Sequence, residues 1–360
     1  MEKGNTTTSS TIDALRTILC MQIVFYHMAT TAPVQQETLA TGTLPGYIIT
    51  FITMLNNIAV PLFFAISGYL FCSTYTNSYH CYLSKIKKRT VRLLQPILIW
   101  TSIYLLLYYT AEQIPLTATL FSGNNDQVSN FDWLNFVNAY TGLISGFPFA
   151  GQYWFLRNLF LLCVFFPLFW LLFKYTKAVG FILFCLCCYS LRFINLYIAD
   201  SLFTFTLGAY VAFNKGIIPY VSRNRHIFVY AFLALTPIVY IGFTFPVYKL
   251  LYSCLFYPFV LSGFVVMISI VHALLPTNIG KRVTQLAAGS FFVFLIHQQL
   301  QMIVKRVIYK FLPIEYAYEV LIVYLIVPII VITVSYLFFN FLKKKAPRVL
   351  NVMIGKQALI

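Results

Sequence analysis

Charge is what this sequence has least of. Asp, Glu, Lys and Arg make up 9% of its 360 residues, and only nine of these side chains are acidic. A domain surrounded by water carries about 25% charged residues, so a wholly water-facing surface is excluded. Histidine is scarce as well, with five copies, and no Cys/His spacing matches a zinc site, so no metal is expected. The eight cysteines lie almost entirely within apolar runs. The tightest group, Cys185, Cys187 and Cys188, reads as small polarizable filler of a helix rather than as ligands. No linker, low-complexity tract or second soluble domain interrupts the chain. No internal repeat is visible, which counts against a transporter built from inverted halves. A cleaved signal peptide is not expected: Asp13 and Arg16 fall in the first turns of the opening apolar segment, and His27 lies near its end.

What is present points to lipid. Sixty per cent of the residues are hydrophobic and the mean hydropathy is +0.80. Apolar side chains in that quantity cannot all face one aqueous-protein core, so hydrocarbon must solvate much of the surface. The 36 Phe and 26 Tyr suit a bundle packed in a bilayer and belted at its interfaces. Bounding the apolar runs by Pro, Gly and charge predicts spans over residues 12–30, 47–73, 91–110, 153–173, 178–196, 200–214, 227–246, 251–275, 286–305 and 319–342. Each approaches the roughly 20 residues that cross a bilayer, except the short sixth. The expected fold is all-α: a polytopic transmembrane bundle of about ten helices over residues 1–345, with a short cytoplasmic tail over 346–360.

The formal net charge of +16 fits topology better than nucleic acid, since no basic stretch leads into a polar, foldable domain. Lys3, Arg16, Lys85, Lys87, Lys88, Arg89, Arg92, Lys174, Lys177, Lys215, Arg223, Arg225, Lys281, Arg282, Lys343, Lys344, Lys345, Arg348 and Lys356 all fall on one alternating side, 19 of 25 basic residues. That side should be the cytoplasm, with both termini there. The connection 111–150 carries Glu112, Asp126 and Asp132 but no Lys or Arg, as an outer connection should. Its aromatics, among them Phe131, Trp133, Phe136, Tyr140, Phe147 and Phe149, predict that part of it lies in the interface or folds back over the bundle. Lys305, Arg306 and Lys310 fit least well, because the alternation puts them outside.

Ionisable residues within spans are expensive and mark function by default. Arg16 and His27 are eleven positions apart, so on a helix they share a face and stand about 16 Å apart along the axis. Arg16 at a cytoplasmic mouth suits phosphate, or simply snorkels at the helix end. A deep imidazole at His27 suits general-base work, or forms a structural hydrogen bond. Toward the outer side stand Trp154, Arg157, Arg192 and His297. The arginines would stabilise an oxyanion or an acidic acceptor, or pair with Asp132 or Asp200. Trp154 offers a flat aromatic face or joins the interfacial belt, and His297 is a second functional imidazole or fills the core. Ser67-Gly68 permits close helix packing more readily than nucleophilic chemistry, since no base is assigned to Ser67.

In chain order, these residues lie in a series of motifs. Leu15-Arg16-Thr17-Ile18 through Tyr26-His27 resembles the opening of the bacterial membrane acyltransferase family 3, with Arg, ten residues, then His. Val60 to Tyr69, containing Phe63-Phe64-Ala65-Ile66-Ser67-Gly68, resembles that family's Phe-Phe-x-x-Ser-Gly segment. Lys88-Arg89-Thr90-Val91-Arg92 with Pro96 resembles its basic approach to the third helix. Tyr153-Trp154-Phe155-Leu156-Arg157, and Ser290-Phe291 through Leu295-Ile296-His297, resemble two later landmarks. The likeness spans nearly the whole chain; Thr17, where Gly is usual, is among the departures from it.

The resemblance implies a surface-glycan O-acyltransferase of the bacterial cytoplasmic membrane. Its donor would be cytoplasmic acyl-CoA, most readily acetyl-CoA, used as a substrate with no permanently bound cofactor. Its acceptor would be a hydroxyl of a glycan or lipid-linked glycan. It implies His27 as the catalytic base or acyl carrier, Arg16, Lys88, Arg89 and Arg92 on the CoA phosphates, and Trp154, Arg157, Arg192 and His297 on the acceptor side. The rival classes are a transporter or flippase for a polysaccharide or lipid precursor, and a membrane scaffold or sensor without turnover. Acyl-CoA binding separates the first class from both rivals.

Overall fold

The structure is a computed structural model that describes residues 2–30, 39–115, 117, 127–193 and 198–356. Among the described residues there are fifteen α-helices and no strand. Asp126, residues 194–196 of the fifth predicted span and residues 357–360 of the predicted tail lie outside the described residues.

Helix α1 (Glu2–Thr30) is continuous. Helix α2 (Leu44–Asn56) starts with Thr43 as its cap, its Oγ1 accepting from the Gly46 amide at 3.3 Å, and with Pro45 in the first turn, where a missing N–H costs nothing. A turn at Asn57–Ile58 separates it from α3 (Ala59–Ser73). Helix α4 (Tyr79–Arg89) runs through a π-turn, Thr90–Leu94, into α5 (Gln95–Gln113). Pro96 explains the π-turn. Its ring would clash with the Arg92 carbonyl and it has no N–H to offer, so the preceding turn widens and the Gln95 amide reaches back to the Thr90 carbonyl. Helix α6 (Trp133–Thr141) is capped by Asp132, whose Oδ1 accepts from the Asn135 amide at 2.7 Å, and stops at Gly142 in the left-handed region.

Helix α7 (Trp154–Val164) breaks before Pro167, which cannot continue the ladder, and α8 (Phe166–Phe193) follows. Lys177, at φ 52° and ψ −135°, divides α8 into two helices. Then come α9 (Ile198–Phe213), α10 (Ile217–Arg223), α11 (Arg225–Thr244), α12 (Lys249–Leu274), α13 (Asn278–Phe311), α14 (Ala317–Lys345) and α15 (Pro347–Met353).

Among the described residues, seven helical stretches are long and apolar enough to cross a membrane: Leu44–Ser73, Tyr79–Gln113, Phe166–Arg192, Arg225–Thr244, Pro246–Leu274, Asn278–Phe311 and Ala317–Lys345. Each of the other three predicted spans has a physical reason for standing apart. Residues 12–30 lie in α1, which has the length but carries Asp13, Arg16, Gln22 and His27. Residues 153–173 are interrupted at the α7–α8 break. Residues 200–214 form a helix of only 16 residues. Two boundaries move outward: the third span is preceded by the polar helix α4, and the ninth runs to Phe311. Lys305, Arg306 and Lys310 are therefore the last turns of a helix and not a connection, and Lys305 is buried.

The chain divides into two compact units. The first comprises Met1–Ser78, Leu162–Ser290 and Ile314–Pro328. In it α3 crosses α9 so closely that the backbones touch. A Cβ on Gly68 would collide with the Phe205 carbonyl, and one on Gly208 would collide with the Ala65 carbonyl. In a bilayer, where lipid competes equally for apolar side chains, such backbone approach is a main source of helix association. Helix α1 packs on α2, α3 and α12, burying Leu15, Leu19, Ile23 and Val24.

The second unit comprises Tyr79–Leu161, Phe291–Pro313 and Ile329–Ile360. Here the aromatic connection folds onto α5: Val128 and Ala139, with Phe131, Tyr140 and Phe149 beside them, pack on Leu105 and Tyr108. Glu112 fixes the base of that connection, accepting from the Val128 and Ser129 amides at 2.8 and 3.0 Å.

Candidate active site

The candidate residues divide between the two units. Arg16, His27, Ser67, Gly68 and Arg192 belong to the first; Lys88, Arg89, Arg92, Trp154, Arg157 and His297 belong to the second.

In the first unit one unbroken helix, α1, carries both Arg16 and His27. Arg16 keeps 45% of its side-chain surface exposed and pairs with Asp13 at 3.4 Å. His27 is half-buried, its ring edge-on to Tyr26 with centroids 5.6 Å apart. The face between them is anchored. Thr17 is buried, its Oγ1 3.0 Å from the Val283 carbonyl and 3.2 Å from that of Asp13, and the Cys20 thiol lies 3.1 Å from the Ser290 carbonyl. Thr17, the departure from the family pattern, thus has a use as an anchor of α1 on α13. Ser67 is half-buried, and Gly68 makes the α3–α9 crossing.

Arg192 is engaged with its surroundings. Its Nη1 donates to both Asp200 oxygens, at 2.7 and 2.6 Å, and the Tyr257 hydroxyl donates to Asp200 Oδ1 at 2.9 Å. The guanidinium lies 3.7 Å above the Phe256 ring and 5.4 Å from that of Tyr252. An ion pair in low dielectric, completed by a hydroxyl and an aromatic face, forms a rigid polar cluster in the apolar surroundings.

In the second unit Lys88 and Arg92 are exposed and Arg89 is half-buried, all on or next to the π-turn. Arg157 donates from Nη1 to the Thr141 and Gly142 carbonyls at 2.7 and 3.0 Å. Its Nη2 donates to Gly146 at 3.1 Å, and its Nε to Asn158 at 3.1 Å. It therefore holds the chain 141–146 from within, while Asp132 is occupied as a helix cap. Trp154 opens α7 and is half-buried.

His297 is fully buried, and its Nδ1 is 2.7 Å from the Phe294 carbonyl. A carbonyl only accepts, so Nδ1 carries a proton in this contact.

Two motifs far apart in sequence meet at this turn of α13. The Leu295 carbonyl lies within hydrogen-bond distance of three donors: Tyr153 Oη at 2.8 Å, Gln152 Nε2 at 3.1 Å and Tyr104 Oη at 3.2 Å. The Gln152 amide donates to Gln298 Oε1 at 2.8 Å, and Tyr108 donates to Gln299 Oε1 at 3.0 Å. Tyr104, Tyr108 and Gln152 were not among the candidates. Their signal was present: polar groups four apart in an apolar run, and a glutamine directly before a landmark. Likewise His297, Gln301 and Lys305, at 0%, 0% and 2% exposure, follow one another at four-residue intervals and form a buried polar stripe along α13.

Among the described residues, no three His, Cys, Asp or Glu side chains gather as a metal ion would require. The acyltransferase-domain profile of acyltransferase family 3 matches residues 10–340. The chain belongs to acyltransferase family 3. None of the curated proteins or solved structures compared with this acyltransferase matches it. With seven such apolar helices among the described residues, it is a multi-pass membrane acyltransferase. All eleven candidate residues lie within the matched region.

Proposed function

We propose that this acyltransferase moves an acyl group, most readily acetyl, from cytoplasmic acyl-CoA to a hydroxyl of a cell-surface glycan or lipid-linked glycan, in the bacterial cytoplasmic membrane. The observation that carries the reading is the pair on α1: an exposed arginine and a half-buried histidine, three turns apart on one continuous helix. An exposed cation suits the phosphates of CoA, and a partly desolvated imidazole suits proton transfer. Lys88, Arg89 and Arg92 add donors for those phosphates; Arg is the better partner because its guanidinium contacts phosphate bidentately.

In the direct route, His27 takes the proton of the acceptor hydroxyl as its oxygen attacks the thioester carbonyl. The C–S bond breaks, and the departing CoA sulfur receives the proton. In the two-step route, the unprotonated ring nitrogen of His27 attacks the thioester carbonyl, the C–S bond breaks and CoA leaves as its thiolate; the acceptor oxygen then takes the acyl group from the imidazole, and the hydroxyl proton passes through the ring to the CoA sulfur. Arg157 and Arg192 shape the acceptor side through the carbonyls and carboxylate they hold. His297 orients the acceptor, Trp154 stacks on its sugar, and Ser67-Gly68 supports the packing.

The test uses purified full-length protein with acetyl-CoA and a membrane glycan fraction. CoA thiol should appear only when acceptor is present, together with a matching acetyl mass on the glycan. His27→Ala should lower this turnover by about a hundredfold or more. Turnover that survives His27→Ala would refute the assignment.

A further inference from the structure

We infer that the C-terminal segment 347–356, which the sequence suggests is a tail, is a built part of the donor side: it braces the π-turn that carries Arg92 and follows Arg89. This inference rests on the donor reading above, and it is drawn from contacts within the second unit.

Helix α15 ends with a left-handed glycine. The Lys356 amide donates to the Asn351 carbonyl at 2.8 Å and the Gly355 amide to Val352 at 3.2 Å, with Gly355 at φ 62°. This closure is one that glycine adopts without strain. Gly355 also lies directly against the π-turn. A Cβ there would collide with the Val91 carbonyl and stand 2.9 Å from the Arg92 Cα.

The last carbonyls of a helix have no partner within it. Here Gln95 Nε2 donates to the Val352 carbonyl at 2.8 Å, and Trp100 Nε1 to the Met353 carbonyl at 3.2 Å. Both donors lie on α5, just after the π-turn. Leu350 and Ile354 of the same segment are buried.

The mechanics follow from the sequence. Pro96 forces a widened turn, and a widened turn has more than one way to relax. The C-terminal segment removes that freedom. Gly355 presses on the backbone at residues 91 and 92, and two side-chain donors lock the flank at residues 95 and 100. Arg89 and Arg92 are thereby aimed by a segment more than 250 residues away in sequence. Gly355, Gln95 and Trp100 are positioning residues: they act on the donor through those arginines.

The experiment compares full-length protein with three variants, Gly355→Ala, Gln95→Ala and Trp100→Phe. Trp100→Phe keeps an aromatic ring while losing the N–H and part of the indole's bulk, and together with Gln95→Ala it guards against a Gly355→Ala protein that fails to fold. Three quantities are measured: CoA binding, the KM and kcat for acetyl-CoA, and hydrogen exchange of amides 90–96. The expected result is faster exchange at 90–96 and donor KM and CoA Kd raised on the order of tenfold for Gly355→Ala. A smaller rise in the same direction is expected for the other two, with kcat at saturating donor within about twofold of the parent. Faster exchange with unchanged donor affinity overturns the inference, and so does unchanged exchange. If the parent protein itself binds no CoA, the donor reading falls, and that outcome is distinct from a parent that binds CoA with variants that match it.

Discussion

Arg16 and Asp13 pair at 3.4 Å with more than a third of each side chain in contact with solvent. A surface pair of this kind is worth at most about 1 kcal/mol, so the Arg16–Asp13 pair adds little stability. Asp13→Asn should leave the melting temperature of the purified protein nearly unchanged. Arg16→Ala should raise the KM for acetyl-CoA by roughly tenfold while kcat at saturation changes little, as expected for a group that binds the donor away from the reacting atoms. Steady-state kinetics over a range of donor concentration decide the point.

A second residue-scale contrast lies at Leu295, whose carbonyl is approached by three donors. Losing one should be mild, because two remain. Tyr153→Phe should cost about 1 kcal/mol. Gln152→Leu should cost more, since it strips one donor and places a branched apolar group in a fully buried polar seam. Thermal unfolding of the two variants, followed side by side, tests the order. A Tyr153→Phe loss larger than that of Gln152→Leu would mean that the hydroxyl, and not the amide, secures the turn beside His297.

Among the helices, the α3–α9 crossing offers the sharpest test, because Gly68 and Gly208 meet the partner backbone and not a movable side chain. A methyl at either position must push two helices apart. Gly68→Ala and Gly208→Ala should each destabilise by a few kcal/mol. The double variant should cost less than the sum, since the first separation makes room for the second methyl. A double-variant cycle of melting free energies reads this coupling directly.

Helix existence was legible from apolar runs bounded by Pro, Gly and charge, because hydrocarbon selects strongly for composition. What stayed hidden was helix of the opposite character. Helix α4 is Lys-rich and reads as a loop. The end of α13 contains Lys305, Arg306 and Lys310, whose charge suggests a connection even though Lys305 is buried. The anchoring of Arg157 was equally hidden, because backbone carbonyls leave no mark in sequence. The Arg192–Asp200 pair was visible as an alternative, for the opposite reason: acids are so few here that each one near a buried arginine is conspicuous.

For the whole molecule, the basic residues act through their distribution. On the ten-span reading of the sequence, nineteen of 25 would fall on one alternating side, and such a bias sets orientation because cationic connections resist translocation. Only the described portion of α1 reaches a full span's length without matching hydropathy, and its Asp13, Arg16, Gln22 and His27 account for that deficit. Orientation therefore rests on the connections more than on the first helix. Fluorescent protein fused after Ile360 should fluoresce, and alkaline phosphatase fused within 143–146 should be active, because a folded fluorescent protein reports the cytoplasm and an active phosphatase the outside. Replacing Lys343, Lys344 and Lys345 by Gln should leave the phosphatase result intact, since Lys85, Lys87, Lys88, Arg89 and Arg92 still hold the preceding connection inside. Removing those five should weaken it. An active phosphatase at Ile360 would invert the assignment and put Arg16, Arg89 and Arg92 on the side where no CoA is available.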